Sequence, residues 1–391
     1  MNTLWRFAAG TTLNLILAAA CFAQNYTQTN LVSNKAGVAP VADHKLINAW
    51  GLSRGSGSPW WVSDQATGVS TLYDGAGAKQ SLIVTIPPAD PAKTKTGSPT
   101  GTIFNGSQTD FLLAPGKAAA FLFSTIDGTI AGWNPNVAPT RAVTVVKTTD
   151  GSSYTGLTSA FIDGKRYLYA ANFGKGRVDV YDNAFHLVKV PNEQVDPNSS
   201  DQNEPSPESP FMDDELPSHY VPFNVQAIGN DIVVAYALHE PGARFESDGP
   251  GLGFVDIYSS SGRLLHRLEH GDWLNAPWGL ALAPLDFGRF SHDLLVGQFA
   301  GGGDTQSSGF IAAYDLATGK FDGLLQDASG KPLAINGIWA ISPGNVSPSN
   351  SDAAGAPAAE MYFTAGPHRG AGGLFGYVTA VSTELTEGNS Q

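Results

Sequence analysis

One short theme occurs three times in the chain: LINAWGLS at residues 46–53, LNAPWGLALAP at 274–284 and AINGIWAIS at 334–342. Each copy sets an Asn two or three residues before a Trp, then a small residue and an aliphatic one. After the second copy come DLLVGQF (293–299), GFIAAYDLATG (309–319) and FDGLLQD (321–327), so the theme opens a run of four β-like segments, each closed by turn residues. The same order appears as WGLS, WWVSDQATG, VSTLYDGAG and QSLIVTIPP, and again as PTGTIF, AAFLFSTIDG, TIAGWNP and AVTVV. It recurs in YTGLTSAFI, YLYAANFGKG, RVDVYDNAF and HLVKV, and in FNVQAI, IVVAYALHE, GFVDIYSSSG and LLHRLE. A sixth copy, GIWAIS, EMYFTAG and GLFGYVT, stops one segment short.

A unit of about 58 residues, slightly longer than the ~50 of kelch-type blades, cannot bury its faces alone and must stack on its neighbours. Six four-stranded units predict an all-β fold, a six-bladed β-propeller. Composition agrees, since 45 Gly, 25 Pro and 10% aromatic residues suit short strands and tight turns. The expected blades span about 46–90, 99–147, 152–190, 220–270, 274–328 and 334–380, within a propeller of 24–380. Gly51, Gly101, Gly156 and Gly279 begin innermost strands, where backbones crowd the axis and a small residue lets them approach. Trp50, Trp278 and Trp339 are expected to wedge between neighbouring blades. The polar tail, 381–391, cannot supply the missing edge strand of the sixth unit. The expected donor is TNLVS (29–33), which alternates apolar with polar residues around Leu31 and removes an exposed sheet edge by closing the ring.

The Pro-x-Gly-Leu-Ala opening and the aliphatic-x-x-Tyr-Asp-x-x-x-Gly turn resemble NHL repeats and the related gluconolactonase and paraoxonase propellers. More closely, WGL, GVSTLYDG, YAANFGKGRVDVYD, PFNVQ, GFVDIY, PWGLALAP and MYFTAG, in this order, resemble an uncharacterised family of exported bacterial NHL-like propellers, many ending in a PEP-CTERM sorting tail. The match covers nearly the whole chain after residue 23. The end of this chain, TELTEGNSQ, departs from that pattern: it has no Val-Pro-Glu-Pro motif and no apolar helix, so membrane-linked sorting is not carried over. Resemblance to the gluconolactonase-like propellers implies a catalytic Ca²⁺ held by carboxylate and amide oxygens of inner loops.

Residues 1–23 read as an export signal: Arg6, the apolar run LNLILAAA, then Cys21 and Ala23 as the small residues before cleavage at Gln24. The expected location is periplasmic or secreted. Lipidation at Cys21 is the alternative, although the residue three before it is not the usual Leu. The apolar run is far below the ~20 residues of a membrane span. The chain after residue 23 has no Cys, so packing rather than disulfides must hold it together. A formal net charge of -13 argues against nucleic acid, which requires a basic footprint. A monomer with a small-molecule, glycan or protein partner is expected.

Two segments break the repeat. Residues 191–219, rich in Pro, Ser and acids, predict an exposed loop, read either as a solvated decoration or, through Asp213, Asp214 and Glu215, as a cation-attracting lid. HEPGARFESDGPGLG (239–253) is a second long loop, of the kind that carries function in compact domains.

The chain holds no Walker loop, HExxH helix or Cys cluster. Aligning the second strands of the six units ends them at Asp64, Thr125, Asn172, Tyr236, Gln298 and Ala365. Equivalent positions of successive blades surround the axis, so Asp64, Asn172 and Gln298 offer hard oxygens for a divalent ion such as Ca²⁺, with Tyr236 beside them. The same groups serve as strand-end caps holding channel water, and one carboxylate is a weak calcium set. Asn48, Asn224, Asn275 and Asn336 are expected to line the opposite mouth or to bond turn backbones. Two functions follow. The first is an exported propeller binding a glycan, peptide or protein on one face, with Trp50, Trp278 and Trp339 near the mouth. The alternative is a lactonase-like or other hydrolase with a divalent cation in the central channel. The low carboxylate count favours binding.

Overall fold

The computed structural model describes residues 25–190, 210–299, 309–344 and 359–381. The expected export signal, most of the 191–219 insertion and nearly all of the tail lie outside the described residues. The fold is a six-bladed β-propeller, with a single 3₁₀ turn, Gly288–Phe290, as the helical element among the described residues.

Blade 1 is built from Ala49–Ser53, Trp60–Asp64, Val69–Tyr73 and Lys79–Thr85, each antiparallel to the one before. Blades 2 to 5 repeat that order and begin with Pro99–Phe104, Tyr154–Ile162, Tyr220–Ile228 and Pro277–Leu282. Blade 6 has Ile338–Pro343, Met361–Ala365 and Leu374–Ala380. Innermost strands touch from blade to blade, and the sixth returns to the first, so the ring is closed.

Strand alternation explains the stacking. Neighbouring Trp60 and Trp61 point to opposite faces of blade 1. Trp60 packs on Tyr362 of blade 6 with ring centroids 4.7 Å apart, and Trp61 stacks on Phe121 of blade 2 at 4.1 Å. Six apolar clusters fill the six gaps in this way, among them Leu122 and Ile130 against Leu157 and Leu168, and Val233 and Ile257 against Leu280 and Val296. The Tyr-Asp turns carry a division of labour: Asp74 Oδ1 accepts from the backbone N–H of Ala76 and Ala78, and Asp182 Oδ1 from Ala184 and His186. Each preceding Tyr is buried, Tyr73 donating to Asp43 at 2.7 Å.

The strand missing from blade 6 comes from the start of the described chain. It is longer than TNLVS: Tyr26–Ser33 pairs antiparallel with Leu374–Ala380, from Tyr26↔Ala380 to Ser33↔Leu374. Tyr26 anchors its beginning, 2% exposed, stacked on Phe290 and donating its hydroxyl to the carbonyl of Phe287. Val41–Ala42 adds a short parallel strand outside it.

The crowded axis is real at the glycines. A Cβ on Gly51 would lie 2.3 Å from the Thr100 carbonyl oxygen, and one on Gly279 would lie 2.6 Å from that of Trp339. Both obstacles are backbone of the next inner strand. Gly51→Ala is expected to cost about 1–3 kcal/mol through this overpacking, read as a lowered urea midpoint; an unchanged midpoint would show that the inner ring relaxes freely.

The described end of the insertion is a strap, not a lid. Phe211 is fully buried between blades 3 and 4, receiving the Tyr236 hydroxyl on its carbonyl oxygen, and its N–H reaches Gly262. The buried carboxylate of Asp213, expected as a solvent-facing cation attractor, is instead held by two nitrogens of Arg267, Nη2 lying 2.6 Å from Oδ1. Arg267 pulls the Asp213 carboxyl below its usual range, while burial, aided by the Asp213 charge, pushes Asp256 up to about 7. A raised carboxyl contributes stability that is fully present below its ordinary value near 4 and lost as pH rises through 7. The Asp213 contribution runs the other way and is constant across that upper range. Asp256→Asn is therefore expected to match the parent in melting temperature at pH 4 and to exceed it by a few degrees at pH 8. The same offset at both pH values would contradict this.

Candidate functional site

The opening theme acquires a shape at the axis. In all six blades the pairing of the first two strands slips at one place: between Ala49 and Leu52, Pro99 and Thr102, Tyr154 and Gly156, Pro222 and Asn224, Pro277 and Gly279, and Ile338 and Ile341. A bulge of this kind re-aims a side chain. The residues inside these slips include Trp50, Thr155, Phe223, Trp278 and Trp339. The aromatic ones meet each other instead of wedging between blades as expected. Trp50 stacks on Trp339 at 3.7 Å, and Trp278 stands edge-on to both, at 6.2 and 6.0 Å. Phe223 closes on Trp50 and Trp339 at 6.5 and 5.9 Å. Polar ties fix the set: Trp278 Nε1 donates to the Thr155 carbonyl, Asn224 Nδ2 to the Trp278 carbonyl, and Trp339 Nε1 to Asn48 Oδ1 at 2.8 Å. The axis is an aromatic plug.

The second-strand ends accordingly do not face an open channel. Asp64, Asn172, Tyr236 and Gln298 are all buried, none more than 2% exposed. Each is engaged within its own part of the ring. Asn172 accepts from the Ser153 N–H and donates to Asp179 and Ser152; Gln298 Oε1 accepts from the Asn275 N–H. Tyr236 shares a 2.6 Å hydrogen bond with Tyr258 between blades 3 and 4. Asp64 lies against Thr71, with Asp43 nearby, and burial holds its carboxyl far above the usual range. Neither oxygen of Asp64 has a well-aligned hydrogen-bond partner among the described residues. Asn172 and Gln298 thus spend their amide oxygens within their own parts of the ring, and among the described residues no three His, Cys, Asp or Glu side chains gather in a metal-binding arrangement. The Asn residues also sit elsewhere than expected. In an antiparallel hairpin the first strand begins where the second ends, so Asn48, Asn275 and Asn336 share the mouth with Gln65 and Gln298, not the opposite one.

At that mouth, above the plug, is a cavity of about 350 Å³, within the usual range for small-ligand sites. Trp50, Trp339 and Phe299 form its floor, Phe299 covering one face of Trp339 at 3.9 Å. The indole N–H of Trp50 is buried with no acceptor among the described residues. Gln65 and Asn48 line one wall, hydrogen-bonded to each other; Ser98 and Asp127 of blade 2 line another. The blade 4 loop supplies Arg244, Phe245, Glu246 and Asp248, and the blade 6 loop Arg369. Asn275 holds the blade 4 loop in place by accepting from the Gly249 N–H at 2.7 Å.

Charge in the cavity is shaped by burial. Desolvation pushes the Glu246 carboxyl up to about 7, with Asp248 adding to the rise and Arg369 opposing it. Burial also raises Asp127, against hydrogen bonds from Ser98. Arg369 follows His368 in a turn where both have φ of 56°, a left-handed conformation that costs an L residue roughly 1–2 kcal/mol. The turn is held by the His368 N–H donating to Asn336 Oδ1 and by Gly370 packing on Asn48.

No family model matches the chain. It is similar to three proteins of Acanthamoeba polyphaga mimivirus. Uncharacterized protein L690 is 29% identical over 334 residues, 83% of this chain and 80% of that protein. Uncharacterized protein R648 is 28% identical over 319 residues, 80% and 72%. Uncharacterized protein R640 is 29% identical over 259 residues, 64% of this chain, which spans only 43% of R640. Among solved structures, a glucose dehydrogenase covers 91% of this chain and 99% of its own, at 12% identity and a TM-score of 0.50. A Bacteroides thetaiotaomicron protein of unknown function covers 91% and 76%, at 10% and 0.50. At such identities the likeness is one of fold. No helix among the described residues is long and apolar enough to cross a membrane.

Proposed function

We propose that the protein is an exported binding propeller that takes a sugar ring of a glycan in the mouth cavity. One observation carries the reading: an apolar floor of axis aromatics and a ring of charged groups from blades 2, 4 and 6 share one cavity of about 350 Å³. A sugar needs both, an apolar surface for its C–H face and donors with acceptors for its hydroxyls. Asp127, Glu246 and Asp248 accept; Arg244 and Arg369 donate. Trp278 and Asn224 lie deeper and support the floor.

The second reading is a lactonase-like or other hydrolase using Ca²⁺ bound by Asp64, Asn172 and Gln298. It has less support, because the two amides are already tied within their blades. Calorimetric titration of residues 24–391 with a panel of mono- and disaccharides tests the first reading. At least one sugar is expected to bind, and Asp127→Ala to weaken it about tenfold through loss of one hydrogen bond to a charged group. Silence across the panel, combined with a Ca²⁺-dependent rise in melting temperature that Asp64→Ala abolishes, would favour the second.

A further inference from the structure

We infer that the cavity selects sugars bearing a carboxylate, such as uronic acids, over neutral ones, with Arg369 and Arg244 as the receiving groups. The inference rests on the cavity being a sugar site. Two guanidinium groups reach it from different blades, and neither is spent. Arg369 Nη2 is 3.9 Å from Asp248 Oδ1, too far for a hydrogen bond, and its side chain is 70% exposed. Arg244 lies 5.1 Å over the Phe245 ring and has no carboxylate partner among the described residues. Guanidinium groups pair with carboxylates through two parallel N–H donors, a geometry that a lone hydroxyl cannot match.

The backbone points the same way. The turn that presents Arg369 keeps two successive non-glycine residues in the left-handed region, although Gly370 follows immediately. That strain brings a cation to the rim, where it does not complete a close ion pair.

Three carboxyl groups face these cations: Asp127 from the blade 2 turn, and Glu246 and Asp248 from the loop that also carries Arg244. Burial pushes the Glu246 carboxyl up to about 7, which makes the cavity less acidic at pH 6 than its residue count. As pH rises above 7, Glu246 becomes charged and repels a second anion.

The experiment is calorimetric titration of residues 24–391 with glucuronate, glucose and glucosamine at pH 6 and pH 8, at one ionic strength. Glucuronate is expected to bind at least tenfold more tightly than glucose at pH 6, with the margin shrinking several-fold at pH 8. Arg369→Gln should remove most of that margin, weakening glucuronate several-fold more than glucose, and Glu246→Gln should preserve the margin at pH 8. Arg369 sits at the solvent edge, and the parent's melting temperature in each variant verifies folding. Equal or tighter binding of glucose or glucosamine, or a margin that survives both Arg369→Gln and Arg244→Gln, overturns the selectivity and leaves the sugar site standing. Binding of none of the three, when other sugars also fail, overturns both.

Discussion

A chain lacking residues 25–34 is expected to melt roughly 10–20 °C below the parent or to aggregate on expression. The deletion removes Tyr26, Leu31 and Val32, all buried, and strips the edge of Leu374–Ala380 of its partner. Losing the Tyr26 ring alone corresponds to about 3–5 kcal/mol and Leu31 to another 2–5, at roughly 1–1.5 °C per kcal/mol in a chain of this size, and the lost Val32 packing and strand pairing add to the fall. The exposed edge would also be free to pair with other chains. Deleting residues 384–391 is the control and should change little. Scanning calorimetry distinguishes the two; equal melting temperatures for both truncations would mean that the ring is closed by something other than this strand.

Trp339→Ala is expected to cost about 3–5 kcal/mol, because the residue is 2% exposed and sits between Trp50 and Phe299 in one continuous stack. Its loss also strips Asn48 Oδ1 of its indole donor and empties the centre of the cavity floor. Trp339→Phe should recover part of the stability, since an aromatic face returns, but not the hydrogen bond. Urea midpoints of the three proteins give the comparison, with an unchanged slope indicating that the fold itself persists. A loss below about 1 kcal/mol would mean that the axis is loosely packed and the plug carries little of the stability.

The ring was legible in the sequence because the blades repeat the same demands: an apolar face on each side, a small residue near the axis and, in the first five, an Asp, Asn or Ser to fold the outer turn. Gly51 and Gly279 meet the neighbouring inner strand as their spacing implied. What the repeat could not convey is where a bulged side chain points. Trp50, Trp278 and Trp339 were visible as a set, yet only the slipped register turns them onto the axis. Second-strand ends looked like a channel lining for the same reason that they are not one: their polar groups were read without the partners, such as Asp179 for Asn172, that the next strand provides. The cavity was hidden more deeply. Asp127, Glu246, Phe299 and Arg369 come from four different blades, at positions that do not repeat, and no spacing in the chain predicts that they converge. The length of the loop at 239–253 was the one signal; nothing in GPHRG marks Arg369, whose placement depends on a left-handed turn.

The site at the mouth is tested most directly by following the indole N–H signals of the protein by ¹H–¹⁵N NMR while a binding sugar is titrated, with assignments from single Trp→Phe variants. The Trp50 and Trp339 signals should move most, since both rings line the cavity. Trp61, Trp133 and Trp273, packed between or outside the blades, should stay in place. Shifts confined to those three, with Trp50 and Trp339 unmoved at saturation, would place the ligand elsewhere and contradict the account.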